Sequence, residues 1–242
     1  MTVSHWRRAP QPTSETADLV IVGAGIAGLS AALEAQRRGL RTIILERDQP
    51  GAGASGRNAG FLMRGCAENY AIACREYGRE RAKALWKLTE DNLAALREEG
   101  IERLPSVRRI ASCMPAVEEK ERYELRESVK LMREDGFAVD WLEDPADGPD
   151  DAVWRPRAHP RHALAGLVNP DDGACNPVDV LALLRRKLRD PVRERSEVIA
   201  IEETPGAVRI RTGEGVIEAA NALLCVNSYL GLLLPAHAKL AM

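Results

Sequence analysis

An α/β fold is what this sequence predicts, and three features of one stretch, Asp18 to Gly60, predict it. Leu19-Val20-Ile21-Val22 is a short apolar run rich in β-branched residues, the pattern of a strand buried on both faces. Gly23-Ala24-Gly25-Ile26-Ala27-Gly28 follows at once as G-x-G-x-x-G, after which Ile26, Leu29, Ser30 and Leu33 fall on one helical face. A second apolar run, Thr42-Ile43-Ile44-Leu45, ends in Glu46. Strand, tight turn, helix, strand and acid together make a Rossmann-like unit.

Each part has a mechanical reason. Gly23 permits the tight turn, Gly25 lets a pyrophosphate approach the backbone, and Gly28 lets helix and strand pack closely. The amides of the first helical turn, Ile26 and Ala27 among them, then face the phosphate with the positive end of the helix dipole behind them. Gly39 stands at the C′ position after Arg37 and Arg38, and stops the helix. Glu46 comes eighteen residues after Gly28, close to the roughly 20 at which an acid meets a ribose. A bare G-x-G-x-x-G is weak evidence; this one sits in the strand–helix context that makes it a dinucleotide site.

The fingerprint alone does not choose between a nicotinamide and a flavin. Gly51-Ala52-Gly53-Ala54-Ser55-Gly56 repeats the spacing, yet Gln49-Pro50 precede it where a strand is required, so it fails as a second Rossmann turn. As a loop following the acid, it offers Ser55, Arg57 and Asn58 as polar contacts to a cofactor's phosphates and ring. A plain surface connection fits the same residues equally well.

The two motifs together resemble the N-terminal half of the FAD-dependent amine and amino-acid oxidoreductases, the D-amino-acid oxidase, glycine oxidase and sarcosine oxidase superfamily. Ser55 to Gly60, with the Ser4-His5-Trp6 leader and the prolines after it, most resembles the γ-glutamylputrescine oxidase-like branch. The resemblance implies a Rossmann-like FAD-binding domain with an interleaved, incomplete α+β substrate domain. It places Gly23, Gly25, Ile26, Ala27 and Gly28 at the pyrophosphate, and Glu46, with Arg47 beside it, at the adenosine ribose. Ala54, Ser55, Gly56, Arg57, Asn58 and Gly60 would run along the pyrophosphate toward the isoalloxazine, Arg57 and Asn58 nearest the ring. It also places Val198 beside the adenine through its backbone, while Asn227 closes a strand whose carboxyl end is where open α/β sheets bind ligands. It implies as substrate a small amine or amino acid, oxidised at its C–N bond by hydride transfer to the flavin. No catalytic side chain is assigned.

Composition bounds the rest. With 242 residues, 45% hydrophobic and 29% charged, wholesale disorder is excluded and one large domain or two interleaved ones are expected. A net charge of −2 gives no electrostatic reason to expect nucleic acid. Five cysteines, odd in number and without a C-x-x-C, point to reduced thiols. His159 and His162 form H-x-x-H, but Pro160 between them argues against a helical metal pair, and no metal is expected. Arg7-Arg8 is not followed by a credible signal or membrane span, since the apolar segment downstream belongs to the nucleotide fold. A cytoplasmic protein is the expectation.

Along the chain, residues 1–17 read as a loosely held arm with Pro10 and Pro12. Ala82, Leu85, Trp86, Thr89, Leu93 and Leu96 make a helical stripe from Arg79 to Glu99, in which Trp86 is better explained by packing than by a cofactor. Val107 to Cys113 reads as a strand, Val117 to Met132 as a helix ended by Gly136, and Ala138 to Leu142 as a strand. The proline-rich stretch to His162 is loop-like, with Arg155, Arg157 and Arg161 as a basic cluster beside Trp154. Asn176-Pro177 starts a helix, and Glu197–Glu203, Ala207–Thr212, Val216–Ala219 and Ala222–Val226 read as strands. The resemblance implies 18–104 with 163–242 as the FAD-binding domain, and 105–162 as part of a substrate domain.

Members of the family continue considerably further than Met242, completing the substrate-domain sheet and returning with a glycine-rich segment. The resemblance thus implies a truncated product, a fragment, or one piece of a split flavoenzyme with a complementary C-terminal polypeptide. A non-catalytic nucleotide-binding or partner-binding remnant is the alternative of another class, and an NAD-linked dehydrogenase a third.

Overall fold

The computed structural model describes residues 15–143 and 163–240. In chain order its elements are β1 (Glu15–Val22), α1 (Ile26–Arg37), β2 (Thr42–Leu45), β3 (Phe61–Leu62), α2 (Tyr70–Tyr77), α3 (Arg79–Glu98), β4 (Arg108–Arg109), β5 (Ser112–Ala116), α4 (Glu119–Glu134) and β6 (Asp140–Leu142). There follow β7 (Ala165–Asn169), β8 (Gly173–Ala174), α5 (Pro177–Lys187), β9 (Val192–Arg193), β10 (Val198–Thr204), β11 (Ala207–Thr212), β12 (Val216–Leu224) and α6 (Leu230–Leu233). They form two compact units, the first from the chain up to Ala59 with everything from Pro177 onward, the second from Gly60–Asn176.

The first unit is built on a six-stranded sheet in the order β10-β11-β12-β1-β2-β9. β12, β1, β2 and β9 run parallel, while β10, β11 and β12 form an antiparallel meander. Alternation along β1 and β2 divides the core between the two faces. Ile21 and Ile44 join Leu29, Leu33, Leu181 and Leu184 of α1 and α5, while Val20, Val22, Ile43 and Leu45 join Val198, Ile210 and Ile217. Ile21, Leu29 and Ile44 are wholly buried, each worth about 1.5–3 kcal/mol relative to exposure. That double covering is why the strands read as unbroken apolar runs.

Three expectations change in this unit. The arm does not extend to residue 17. β1 begins at Glu15, held by pairing with Ile217 and by Arg193, whose Nη1 lies 2.7 Å from the Glu15 carboxylate and lowers its pKa. Val216–Ala219 and Ala222–Val226 are not separate strands but one ending at Leu224, because β1 pairs along it from Ile217 to Leu224, with Asn221 opposite Leu19. β9 is an addition, too short to carry a pattern of its own, and is fixed by pairing Ile44↔Val192.

The second unit carries two three-stranded sheets, β3-β8-β4 and β5-β7-β6. Tyr70 and Trp86 anchor its core, with ring centroids 4.8 Å apart at 71°, and Phe137 meets Tyr70 edge-on at 5.7 Å. Trp86 is a packing residue, as its helical spacing predicts. A capping box between Glu118 and Glu121 starts α4, and Gly136, at φ +88°, follows its end. The strand expected over Val107 to Cys113 is broken into β4 and β5, which belong to different sheets. The domain boundary also falls elsewhere than expected: 60–104 and 163–176 cluster with this unit, because β3 and β4 both pair with β8, and β5 with β7.

Arg64 is buried in this unit. Its guanidinium donates to Asn169 Oδ1 at 3.0 Å, to Glu90 at 2.7 Å and to the Ala138 carbonyl. Its backbone N–H donates to the buried Asp172 carboxylate, which also accepts from Ser112. Burial pushes the Asp172 carboxyl above its ordinary range, against the pull of those donors.

The five cysteines are all free thiols. Cys66 is exposed, whereas burial pushes the Cys113 thiol up to about 11. Because only the thiolate alkylates readily, iodoacetamide at pH 8 is expected to modify Cys66 well before Cys113. Peptide mass spectrometry over a time course measures this, and equal rates would contradict the burial of Cys113.

Candidate functional site

At the carboxyl ends of β1, β2 and β12 the first unit opens into a cavity of about 320 Å³, near the lower end of the roughly 300–1,000 Å³ usual for ligand sites. The local sequence forces the opening. Gly23 leaves β1 at φ +100°, donating its N–H to Leu45 O at 2.8 Å, and a Cβ there would stand 2.6 Å from Cys225 O. Gly28 lets α1 lie against that turn, since a Cβ on it would sit 1.9 Å from Gly23 O. Gly25 is the N-cap of α1 and supplies no side-chain cap, and no acid occupies the first turn. The positive end of the helix thus faces the cavity without a fixed counter-charge on α1 itself.

Two side chains meet the turn from outside it. Glu46 Oε2 accepts from Ala24 N at 2.8 Å and Oε1 from Asp48 N at 3.0 Å. Ser55 Oγ accepts from Ile26 N at 2.9 Å. Ser55 arrives on a loop that is itself braced: Gly51 N donates to Ala24 O at 3.2 Å, and Asn58 Nδ2 donates to Ser55 O at 2.9 Å. Gly51 also lies against Leu181, which a Cβ would approach to 2.5 Å. The glycine repeat over 51–56 is therefore a packed loop beside the first turn.

Of the residues expected to bind a cofactor, Gly23, Gly25, Glu46, Arg47, Ala54, Ser55, Arg57, Val198 and Asn227 line this one cavity. Ile26, Ala27, Gly28, Gly56 and Asn58 are not among its lining residues; Ile26 N donates to Ser55 Oγ, Asn58 braces the Ser55 loop, and Gly28 packs on the Gly23 turn. Gly60 belongs to the second unit, where its carbonyl accepts from Cys175 N at 2.8 Å. Ser196, Glu197, Tyr229 and Leu232 also line the cavity and were not singled out by sequence. The signal for Tyr229 was its place just beyond the strand end that already marked Asn227. Cys225 reaches the lining too, but burial raises its thiol pKa, as suits a packing residue.

A profile for FAD dependent oxidoreductases (DAO) matches residues 18–241. The chain belongs to that family. It is 26% identical over 235 residues to probable oxidoreductase OrdL of Haemophilus influenzae, covering 93% of this chain and 52% of that one. It is 29% identical over 226 residues to γ-glutamylputrescine oxidoreductase of Escherichia coli K12, covering 90% and 50%. The fold superposes on glycine oxidase from Geobacillus kaustophilus with a TM-score of 0.70 at 23% identity, over 91% of this chain and 58% of that one. The chain therefore spans about half the length of the curated relatives it matches.

The cavity suits the family's cofactor. The N-terminus of α1 faces it with no acid in the first turn, a carboxylate stands at the tip of β2, and Gly25 leaves the backbone open where a larger side chain would fill the space beside Ser55. Among the described residues, no group of three or more His, Cys, Asp and Glu side chains is placed to hold a metal, and no helix is long and apolar enough to cross a membrane. His159 and His162, and the cluster of Arg155, Arg157, Arg161 and Trp154, lie outside the described residues.

Proposed function

We propose that this protein is a FAD-dependent oxidoreductase acting on the C–N bond of an amine or amino acid. The observation that carries the reading is the convergence of Gly25, Glu46, Ser55 and Val198 on one cavity at the mouth of α1. The first unit would be the FAD-binding domain and the second part of the substrate domain. The amine class is supported by family membership and by the γ-glutamylputrescine oxidoreductase relative.

When bound, FAD would supply the hydride acceptor, and the chain's own residues would grip and orient it. The α1 N-terminus would face the pyrophosphate. Ser55 Oγ, which accepts from Ile26 N, keeps its own proton to donate to a phosphate oxygen. Each Glu46 oxygen accepts one backbone N–H and retains a lone pair for a ribose hydroxyl. Asn58 would fix the loop and so the height of Ser55.

A second reading is favoured by the half-length match to the curated relatives. Here the chain holds FAD, and turnover needs the part of the fold that those relatives carry outside the matched stretch, supplied by a complementary polypeptide. Purified protein with a flavin spectrum that bleaches when amines are added anaerobically supports the first reading. A flavin spectrum that amines leave unchanged supports the second. Absence of flavin binding refutes both.

Glu46→Ala is expected to weaken FAD binding by about 1–3 kcal/mol, the loss of charge-assisted hydrogen bonds at the ribose. Titration by flavin fluorescence measures it. An unchanged dissociation constant would remove Glu46 from the site.

A further inference from the structure

Arg47 and Tyr229 come from opposite sides of the glycine turn and touch. The Arg47 guanidinium carbon lies 4.0 Å from the centroid of the Tyr229 ring, and both residues line the cavity. In the sheet, β1 lies between β2 and β12. Arg47 extends from the end of β2 and Tyr229 from the end of β12, so their contact joins the two strand ends that flank the Gly23 turn. The turn that delivers Tyr229 has Asn227 at φ +50°, a left-handed conformation that asparagine adopts more readily than most residues. Non-glycine residues held there cluster at ligand sites.

We infer that Tyr229 is a positioning residue that holds Arg47 as a clasp over the adenosine end of the cavity, a role that rests on the FAD reading above. Arg47 directly follows Glu46, the proposed ribose acid, which places the clasp at that end. A guanidinium held over an aromatic ring is attracted by the ring face and still has N–H donors for hydrogen bonds elsewhere. Tyr229 thus limits the positions Arg47 can take beside the nucleotide, and the pair must part for the nucleotide to enter or leave.

The test uses the full chain with Tyr229→Leu, Tyr229→Phe and Arg47→Met, with FAD and ADP as probes. Tyr229→Leu and Arg47→Met are expected to speed dissociation of both nucleotides by roughly threefold to tenfold, the size of a partly exposed cation–π contact. Tyr229→Phe, which keeps the ring face, should release them at the wild-type rate. Thermal midpoints without nucleotide should fall by no more than the few degrees that a partly exposed contact is worth, whereas a merely structural Tyr229 would lower them in Tyr229→Leu and leave nucleotide release unchanged. Wild-type dissociation from Tyr229→Leu, or a defect in Tyr229→Phe as large as in Tyr229→Leu, overturns the clasp while leaving the FAD reading standing. A wild-type protein that takes up neither FAD nor ADP overturns both.

Discussion

Gly28→Ala is expected to destabilise the first unit by on the order of 3 kcal/mol and to abolish flavin retention, although it adds a single methyl group. The added Cβ would stand 1.9 Å from Gly23 O and 3.0 Å from its carbonyl carbon. Those are backbone atoms of the turn, so no rotamer change relieves the overlap. Either α1 lifts away from β1, opening the layer that holds Leu29 and Ile21, or the Gly23 turn moves and loses its 2.8 Å bond to Leu45 O. Both routes displace the helix mouth. Urea denaturation followed by circular dichroism gives the stability, and absorbance after gel filtration gives the flavin content. A variant with the parent's midpoint and flavin content would mean that the helix does not pack on the turn.

Arg64→Ala is expected to destabilise the second unit by roughly 3 kcal/mol, because it strips one member from a buried polar network. The guanidinium leaves behind the Asn169 amide oxygen, the Ala138 carbonyl and the Glu90 carboxylate. Glu90 is partly exposed and can regain water, so the cost falls mainly on the two neutral acceptors. Arg64→Lys should recover only part of the loss, since an ammonium lacks the planar fork that reaches three partners at once. Chemical denaturation of the three proteins measures this. A loss for Arg64→Ala below about 1 kcal/mol would place the network's worth within that of a single ordinary hydrogen bond.

The two effects differ in how far they could be read from sequence. Gly28 was legible because a dinucleotide turn is local: strand, turn and helix occupy consecutive residues, and Gly28 answers to Gly23 within that span. Glu46 was legible for the same reason, whereas the residues around Ser55 read equally well as a surface connection and were marked only by the resemblance. Arg64 was not. Its partners stand at Glu90, Ala138 and Asn169, and no short pattern announces that a charged residue in an irregular stretch will be buried. The unit boundary failed likewise, because two-residue strands such as β3, β4 and β8 carry no periodicity, yet their pairing decides where Gly60 belongs. Tyr229 lay between these cases. The end of β12 was marked as a ligand edge, but a contact with Arg47 exists only once the sheet has set those strands one apart.

The pairing of β1 with β12 also sets an order of assembly. Glu15 of β1 pairs with Ile217 of β12, so β1 leaves the ribosome long before the strand it needs. Gly60–Asn176 is complete in the meantime. The unit that holds the cavity therefore waits, with Val20 and Val22 uncovered on one side, until Val198, Ile210 and Ile217 arrive. Contacts so distant along the chain are slow to form, and the nucleotide cavity closes only after Gly60–Asn176 has been made.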